Sequence, residues 1–413
     1  MNLFLLPCLR PSAWVCGKKR FSRKLLQVLI AHNDYGKFSG EEQAVETAAG
    51  VLSENGHLVR WLRESSAGIE SSFSGKIDAF FSAFYSRGAR RKMAELLDRF
   101  PIDLVQVQNL YPFLSPSILI PCRERGVPAV MRCPNYRLFC PNGLHLSQGE
   151  VCERCLGGRE WHCILRNCVD DYAKSVGYAL RNAFARVSGM IVDNVSVFVV
   201  LSEFQKKRFV EGGIPAERIE ILPNIAPRVD SDVGKDAGGD AVSFIGRMSP
   251  EKGVATFLGA AQSLGHLKFL VAGEQRAGYD AGVPIPGNVS ILGFLTGAAF
   301  DRVFRSSRIL VFPSIWYEGF PNVIAQAMAH GRPVVASRLG AIPEIVDDGV
   351  TGLLFEPSNA QDLADKIDYL WNRPELCREM GRAGREKALR EYSKERFYER
   401  LMAIYAKAVK VSV

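Results

Sequence analysis

Glu318 stands in the loop Tyr317-Glu-Gly-Phe-Pro321, between the apolar run Arg308-Ile-Leu-Val-Phe312 and a stretch ending at Gly331. The run reads as a buried strand. The stretch after it reads as a helix: Pro321 suits a first helical turn, where a missing N–H is no loss, and Gly331 suits a C-terminal stop. A carboxylate at the carboxyl end of a strand, beside a helix N-terminus, is placed for ligand hydroxyl groups, because it only accepts hydrogen bonds. The free N–H groups of that helix end favour phosphate. A second loop, Gly246-Arg-Met-Ser-Pro-Glu-Lys-Gly253, follows the run Ala241-Val-Ser-Phe-Ile245 and repeats this geometry. It puts Arg247 and Lys252 at a strand end, where a planar fork and a point charge together suit a diphosphate. Each loop alone has a plain alternative, an ordinary strand-loop-helix unit with solvated charges.

The elements that must hold these loops follow from the rest of the chain. Its 413 residues are 47% hydrophobic and 23% charged, which gives ample core and a length for two or three domains. A net charge of +8 is compatible with phosphate-bearing ligands or an anionic membrane face. No apolar run approaches the length of a membrane-spanning helix. The opening Met1-Asn-Leu-Phe-Leu-Leu-Pro7 is too short for a signal peptide, so residues 1–24 read as a disordered leader; the basic cluster Lys18-Lys-Arg20 with Arg23-Lys24 offers weak attachment to anionic lipid as the alternative. The protein is therefore expected in the cytoplasm, with peripheral contact to the inner face of the cell membrane as an option, and with no nucleic-acid partner.

Apolar runs alternate with helical patterns throughout, the signature of doubly wound parallel sheets. Lys24–Ala31, His57–Leu62, Asp103–Val107, Val127–Met131 and Ser196–Leu201 are strands, and the N-terminal domain they form covers residues 25–228. Residues 229–240 are Gly- and Asp-rich and read as a linker. A second strand-helix series occupies 241–390, and residues 391–413 hold a last helix whose Phe397, Leu401, Ile404, Tyr405 and Ala408 share one face. His32 to Gly40 forms a loop with Gly36, Ser39 and Gly40 before the first helix; its glycine spacing is incomplete for a dinucleotide site.

Taken together, Gly246-Arg…Lys-Gly253 and Glu318-Gly-Phe-Pro-Asn-Val-Ile-Ala325 resemble the donor-binding motifs of the family-four retaining glycosyltransferases, which have the GT-B fold. The resemblance covers residues 25 to 410. It implies two Rossmann-like domains facing a cleft, with the final helix crossing back to the N-terminal domain. It implies transfer of a sugar from a nucleotide-diphosphate donor, with retention, to a glycan or lipid-linked acceptor, in surface polysaccharide synthesis. Glu318, Arg247 and Lys252 are then catalytic, and Gly36, Gly40, Arg247, Lys252, Gly319, Phe320, Asn322, Val323 and Gln326 hold the nucleotide sugar. No cofactor is required, since the two cations and the helix N-terminus before Val323 take up the leaving group's charge.

Two positions depart from the family pattern. The signature has a second acid where this chain has Gln326, and a histidine facing the sugar where it has Pro134. An amide still accepts one hydrogen bond, without the extra strength of a charge. These departures open a reading from another class, a nucleotide- or glycan-binding scaffold of a polysaccharide assembly complex with weak turnover or none. His145 and His162 are the nearest candidates to replace the missing histidine.

Six of the ten cysteines lie between Cys133 and Cys168. Cys152-Glu-Arg-Cys155 with Cys140 and Cys168 forms a candidate structural zinc site, four thiolates around a tetrahedral ion. Cys163 and His162 are further possible ligands, and small buried thiols in a loop are the plain alternative.

Overall fold

The computed structural model describes residues 25–34, 40–65, 80–229 and 239–411. Strands β1 (Gln27–Asp34), β2 (Leu58–Ser65), β3 (Leu104–Asn109), β4 (Ala129–Arg132), β5 (Val197–Val200) and β6 (Ile219–Ile221) form one parallel sheet in the order β2-β1-β3-β4-β5-β6. Strands β7 (Ala241–Ile245), β8 (Lys268–Ala272), β9 (Val289–Gly293), β10 (Ser307–Phe312), β11 (Val334–Ser337) and β12 (Gly352–Phe355) form a second, in the order β9-β8-β7-β10-β11-β12. Every pairing in both sheets is parallel. The central strands are covered on both faces, which is why they read as unbroken apolar runs: Val28 to Ala31 and all of β4, β5, β7 and β11 are buried. Two Rossmann-like α/β units result, the fold class expected from the alternating pattern.

The last helix, Lys394–Val411, covers one face of the first sheet. Its Phe397, Leu401, Ile404, Tyr405 and Ala408 pack with Val28, Ile30, Leu104, Val130, Val197 and Val199. Each large side chain buried there contributes about 1.5–3 kcal/mol. Two polar anchors fix its register: Tyr405 Oη donates to Gln106 Oε1 at 2.6 Å, and Tyr398 Oη meets His57 Nε2 at 2.9 Å.

The two halves touch at the carboxyl ends of their sheets. Tyr317, from the second half, packs edge-on to Phe204 (4.6 Å) and Tyr136 (6.3 Å) of the first. The Glu344 carboxylate accepts from the Glu203 and Phe204 N–H groups at 2.9 and 2.6 Å, so one half supplies a cap to a helix N-terminus of the other. A β-carbon at Gly319 would lie 3.0 Å from the Pro134 carbonyl. A cleft with this closure places the two loops of the C-terminal half against the first half's strand ends.

Candidate functional site

The first loop is built by its punctuation. Ser249 precedes a single 3-10 turn, Pro250–Lys252, and Gly253 then starts the helix Val254–Ser263. Gly253 has φ +68°, and a β-carbon on it would lie 1.8 Å from the Pro313 carbonyl. Only glycine permits both the left-handed backbone and this approach. The approach ties the loop to the one after β10. The Glu251 carbonyl accepts from the Ile315 N–H at 3.0 Å and from Ser314 Oγ at 3.2 Å. Two segments about sixty residues apart are thereby one surface.

Both cations on that surface have an acid partner. Arg247 donates to Glu251 Oε1 at 2.6 Å, where Ser249 Oγ also donates at 2.7 Å. Burial works to raise the Glu251 carboxyl pKa, but the Ser249 and Arg247 hydrogen bonds outweigh it and hold the group below its ordinary range. The Arg247 side chain remains 59% exposed and open to a ligand. Lys252 Nζ lies 2.6 Å from Glu318 Oε1, and the same oxygen receives Trp316 Nε1 at 2.8 Å and Ser314 Oγ at 3.1 Å. Glu318 is 6% exposed. So the predicted cations and acid converge, and Glu318 is held by three donors rather than standing alone. Ser314, Trp316 and Glu251 were not anticipated as parts of the site. Their signal was proximity in sequence to the acid and the cations, in loops at strand ends.

The helix after the acid spans Asn322–Ala329 and its N-cap is Pro321, with extended backbone at φ −72° and ψ 108°. Pro321 therefore precedes the first helical turn, where it was expected to sit inside it. Gly331, at φ +65°, follows the helix end. Asn322 joins the halves: Asn224 Nδ2 donates to its Oδ1 at 2.6 Å, and Arg132 donates to Asn224 Oδ1 at 2.5 Å. Gly40, at the start of the helix Gly40–Glu54, faces Asn322 as well, with its hypothetical β-carbon 3.6 Å from Asn322 Nδ2. Gly319 and Phe320 are buried in the loop, while Val323 is half-buried. Gly36 and Ser39 fall outside the described residues.

Gln326 lines a cavity of about 140 Å³ between the halves, together with Gln43, Thr47, Arg132, Asn224 and Asn322. Arg132 ends β4 and is 3% exposed. Burial pushes its guanidinium pKa down to about 10, against the attraction of Glu41 and Tyr405. It was missed in the sequence, although a charged residue closing the apolar run Val130-Met131 was visible. Arg132 also lines a smaller cavity of about 30 Å³ with Glu41, Asn109, Pro134 and Arg137.

The two candidate histidines both sit in the cysteine-rich insert. His145 is buried, with Nδ1 3.0 Å from the Cys152 carbonyl and its ring edge-on to Tyr136 at 4.7 Å. His162 stacks on Trp161 at 3.6 Å, in the insert helix Trp161–Leu165. The insert's thiols share one region but do not close around a point. Cys155, Cys163 and Cys168 pack together with Ala179, while Cys140 Sγ donates to Asn142 Oδ1 at 2.9 Å. Among the described residues, no three thiols come within 4.8 Å of one another; the group that does is His32, Asp34 and Glu42. Cys163, outside the expected set of Cys140, Cys152, Cys155 and Cys168, is the innermost thiol. A short helical turn and the Cys168 N–H bond to the Cys163 carbonyl (3.1 Å) bring it beside Cys168.

Residues 239–373, which carry both loops, match the family model for glycosyl transferases group 1. An uncharacterized glycosyltransferase of Methanocaldococcus jannaschii is 35% identical over 35% of this chain and 41% of its own length. The alpha-D-kanosaminyltransferase of Streptomyces kanamyceticus is 28% identical over 71% of this chain and 73% of its own. The D-inositol 3-phosphate glycosyltransferase of Saccharomonospora viridis is 32% identical over 49% and 50%. The chain thus spans about half or less of the length of two of these three relatives. Among solved structures, Anabaena HepE in complex with UDP and glucose aligns over 92% of this chain and 99% of its own, with a TM-score of 0.65 at 17% identity. The sucrose-phosphate synthase of Thermosynechococcus elongatus aligns over 92% and 98%, with a TM-score of 0.67 at 16% identity. Residues 239–373 thus carry a likeness to the glycosyl transferases of group 1, and the chain shares the two-domain GT-B fold of these solved structures.

Proposed function

We propose that this protein moves a sugar from a nucleotide-diphosphate donor onto a glycan or lipid-linked acceptor, with retention at the anomeric carbon, in surface polysaccharide synthesis. The observation that carries this reading is the Lys252–Glu318 pair, fixed by Ser314 and Trp316 and stitched to the loop of Arg247. An arriving diphosphate shares Lys252 with Glu318 and meets the exposed Arg247, so two cations and the helix N-terminus at Asn322 stabilise the leaving group's growing charge. Glu318 keeps acceptor capacity for a sugar hydroxyl. Gln326 and Asn322 offer neutral hydrogen bonds to the donor's far side. Anabaena HepE, of the same fold, binds UDP and glucose, which makes a UDP-sugar the first donor to try.

The lipid-linked arm has its own support. Tyr172, Val176, Leu180, Phe184 and Val187 are exposed along one side of the helix Tyr172–Val187, with Trp161, Leu165 and Phe81 also exposed. A stripe of this kind suits an interfacial helix. Co-sedimentation with anionic vesicles, abolished in Leu180→Asp, is the expected result.

Nucleotide affinity by calorimetry tests the site. Arg247→Ala with Lys252→Ala is expected to lose at least about 100-fold, two charge-assisted contacts of about 1.5–3 kcal/mol each. An unchanged affinity overturns the assignment. Anomeric configuration of the product, read by NMR, tests retention. The scaffold reading is favoured by Pro134 and Gln326, and it predicts nucleotide binding with no turnover across a panel of nucleotide sugars and acceptors.

A further inference from the structure

The cavity between the halves, which holds Asn322 and Gln326 of the donor reading, also holds a cation that this reading leaves unused. Its polar lining, Gln43, Thr47, Arg132, Asn224, Asn322 and Gln326, holds one cation and five neutral groups, and among the described residues no carboxylate lines it. Arg132 is buried, its Nε has no hydrogen-bond partner, and its guanidinium donates to an amide oxygen, that of Asn224. Among the described residues no carboxylate is ion-paired with it. Glu41 attracts it from the neighbouring smaller cavity and does not line this one. A buried guanidinium without a counter-ion is costly to hold, and a ligand oxyanion is the partner whose geometry fits its fork. Gln326 bears on the same point. It stands where the resembled signature has an acid, and a carboxylate there would face into the cavity that Arg132 lines and repel an anion.

We infer that this cavity receives an oxyanion of the acceptor, a phosphate or a carboxylate, with Arg132 as its counter-ion. The inference rests on the transfer reading above. The donor's diphosphate is met by Arg247 and Lys252 on the opposite half; Arg132 closes a strand of the N-terminal half, where it also lines the smaller cavity beside Asn135 and Arg137. An acidic acceptor would then be selected by this one residue, with Asn322 and Asn224 relaying its position to the loop of Glu318.

The test uses the full chain both free and saturated with UDP or GDP; in the saturated set Arg247 and Lys252 are occupied. Inorganic phosphate and acetate are titrated into wild type and Arg132→Gln by calorimetry. Wild type is expected to bind one of them at least tenfold more tightly than Arg132→Gln does, with nucleotide affinity within twofold between the two proteins. Stronger binding of phosphate points to a phosphorylated acceptor, stronger binding of acetate to a carboxylated one. Equal binding by the two proteins, or none by wild type, overturns the inference. Should Arg132→Gln fail to fold, Gln43→Glu adds a negative charge at the exposed rim and is expected to weaken the anion at least fivefold; no change overturns it equally. Failure of the transfer reading shows separately, as absent nucleotide binding in wild type.

Discussion

The two halves of the cleft treat charge in opposite ways. In the C-terminal half each cation facing the cleft has an acid within hydrogen-bond reach, Arg247 with Glu251 and Lys252 with Glu318. In the N-terminal half Arg132 is more deeply buried than either and leans on an amide. The first arrangement keeps a site folded when empty, and a ligand must share its cations. The second stores an unmet demand that a ligand can satisfy. Charge that is neutralised before binding contributes mostly to shape; charge left bare contributes to selection.

This contrast can be broken most strongly at Lys252. Lys252→Met leaves the Glu318 carboxylate buried without its cation and is expected to cost about 3–5 kcal/mol in urea denaturation. Adding Glu318→Gln should recover most of that, and a double-mutant cycle without coupling would contradict the pairing. Next comes Gly253→Ala, which meets both the Pro313 carbonyl and a positive φ; a loss of about 2–3 kcal/mol and a weakened nucleotide site are expected. A pH series sharpens the comparison with a group buried uncharged. Burial lowers the His330 pKa to about 4, against Asp301, which raises it. Its folded value lies below the unfolded one near 6.5, so its contribution is complete above pH 6.5 and is lost as pH falls towards 4. Between pH 7 and 5 that amounts to about 2 kcal/mol, and the slope should vanish in His330→Phe, whose ring can keep the stack on Phe304. The smallest effect belongs to Arg132→Met. Removing a buried charge that lacks a counter-ion should leave stability unchanged or raise it by about 1 kcal/mol. A loss as large as that of Lys252→Met would show that the two halves do not differ.

Much of this was legible in the residues. The sheets could be read because buried parallel strands are continuous apolar runs, as at Ala241–Ile245 and Val334–Ser337. The two loops could be read because glycine and proline positions mark strand-loop-helix joints. What could not be read was pairing across distance. Nothing adjacent to Glu318 says that Lys252 lies 2.6 Å away, or that Asn224 and Asn322 meet across the cleft. The insert was harder still. Its spacing favoured Cys152 with Cys155, whereas the tertiary packing puts Cys163 and Cys168 side by side. Metal content of the purified protein, expected at one zinc per chain if thiol side chains rotate together, decides that element; a value near zero leaves small buried thiols.

The helix Lys394–Val411 has a consequence for biosynthesis. It is the last described element to leave the ribosome, yet it roofs the earliest strands, Val28 and Ile30 among them. Until it arrives, an apolar sheet face made hundreds of residues earlier stays bare. The N-terminal half therefore cannot finish before the C-terminal half has been made, and a nascent chain halted short of Phe397 should be a ready client for chaperones and proteases.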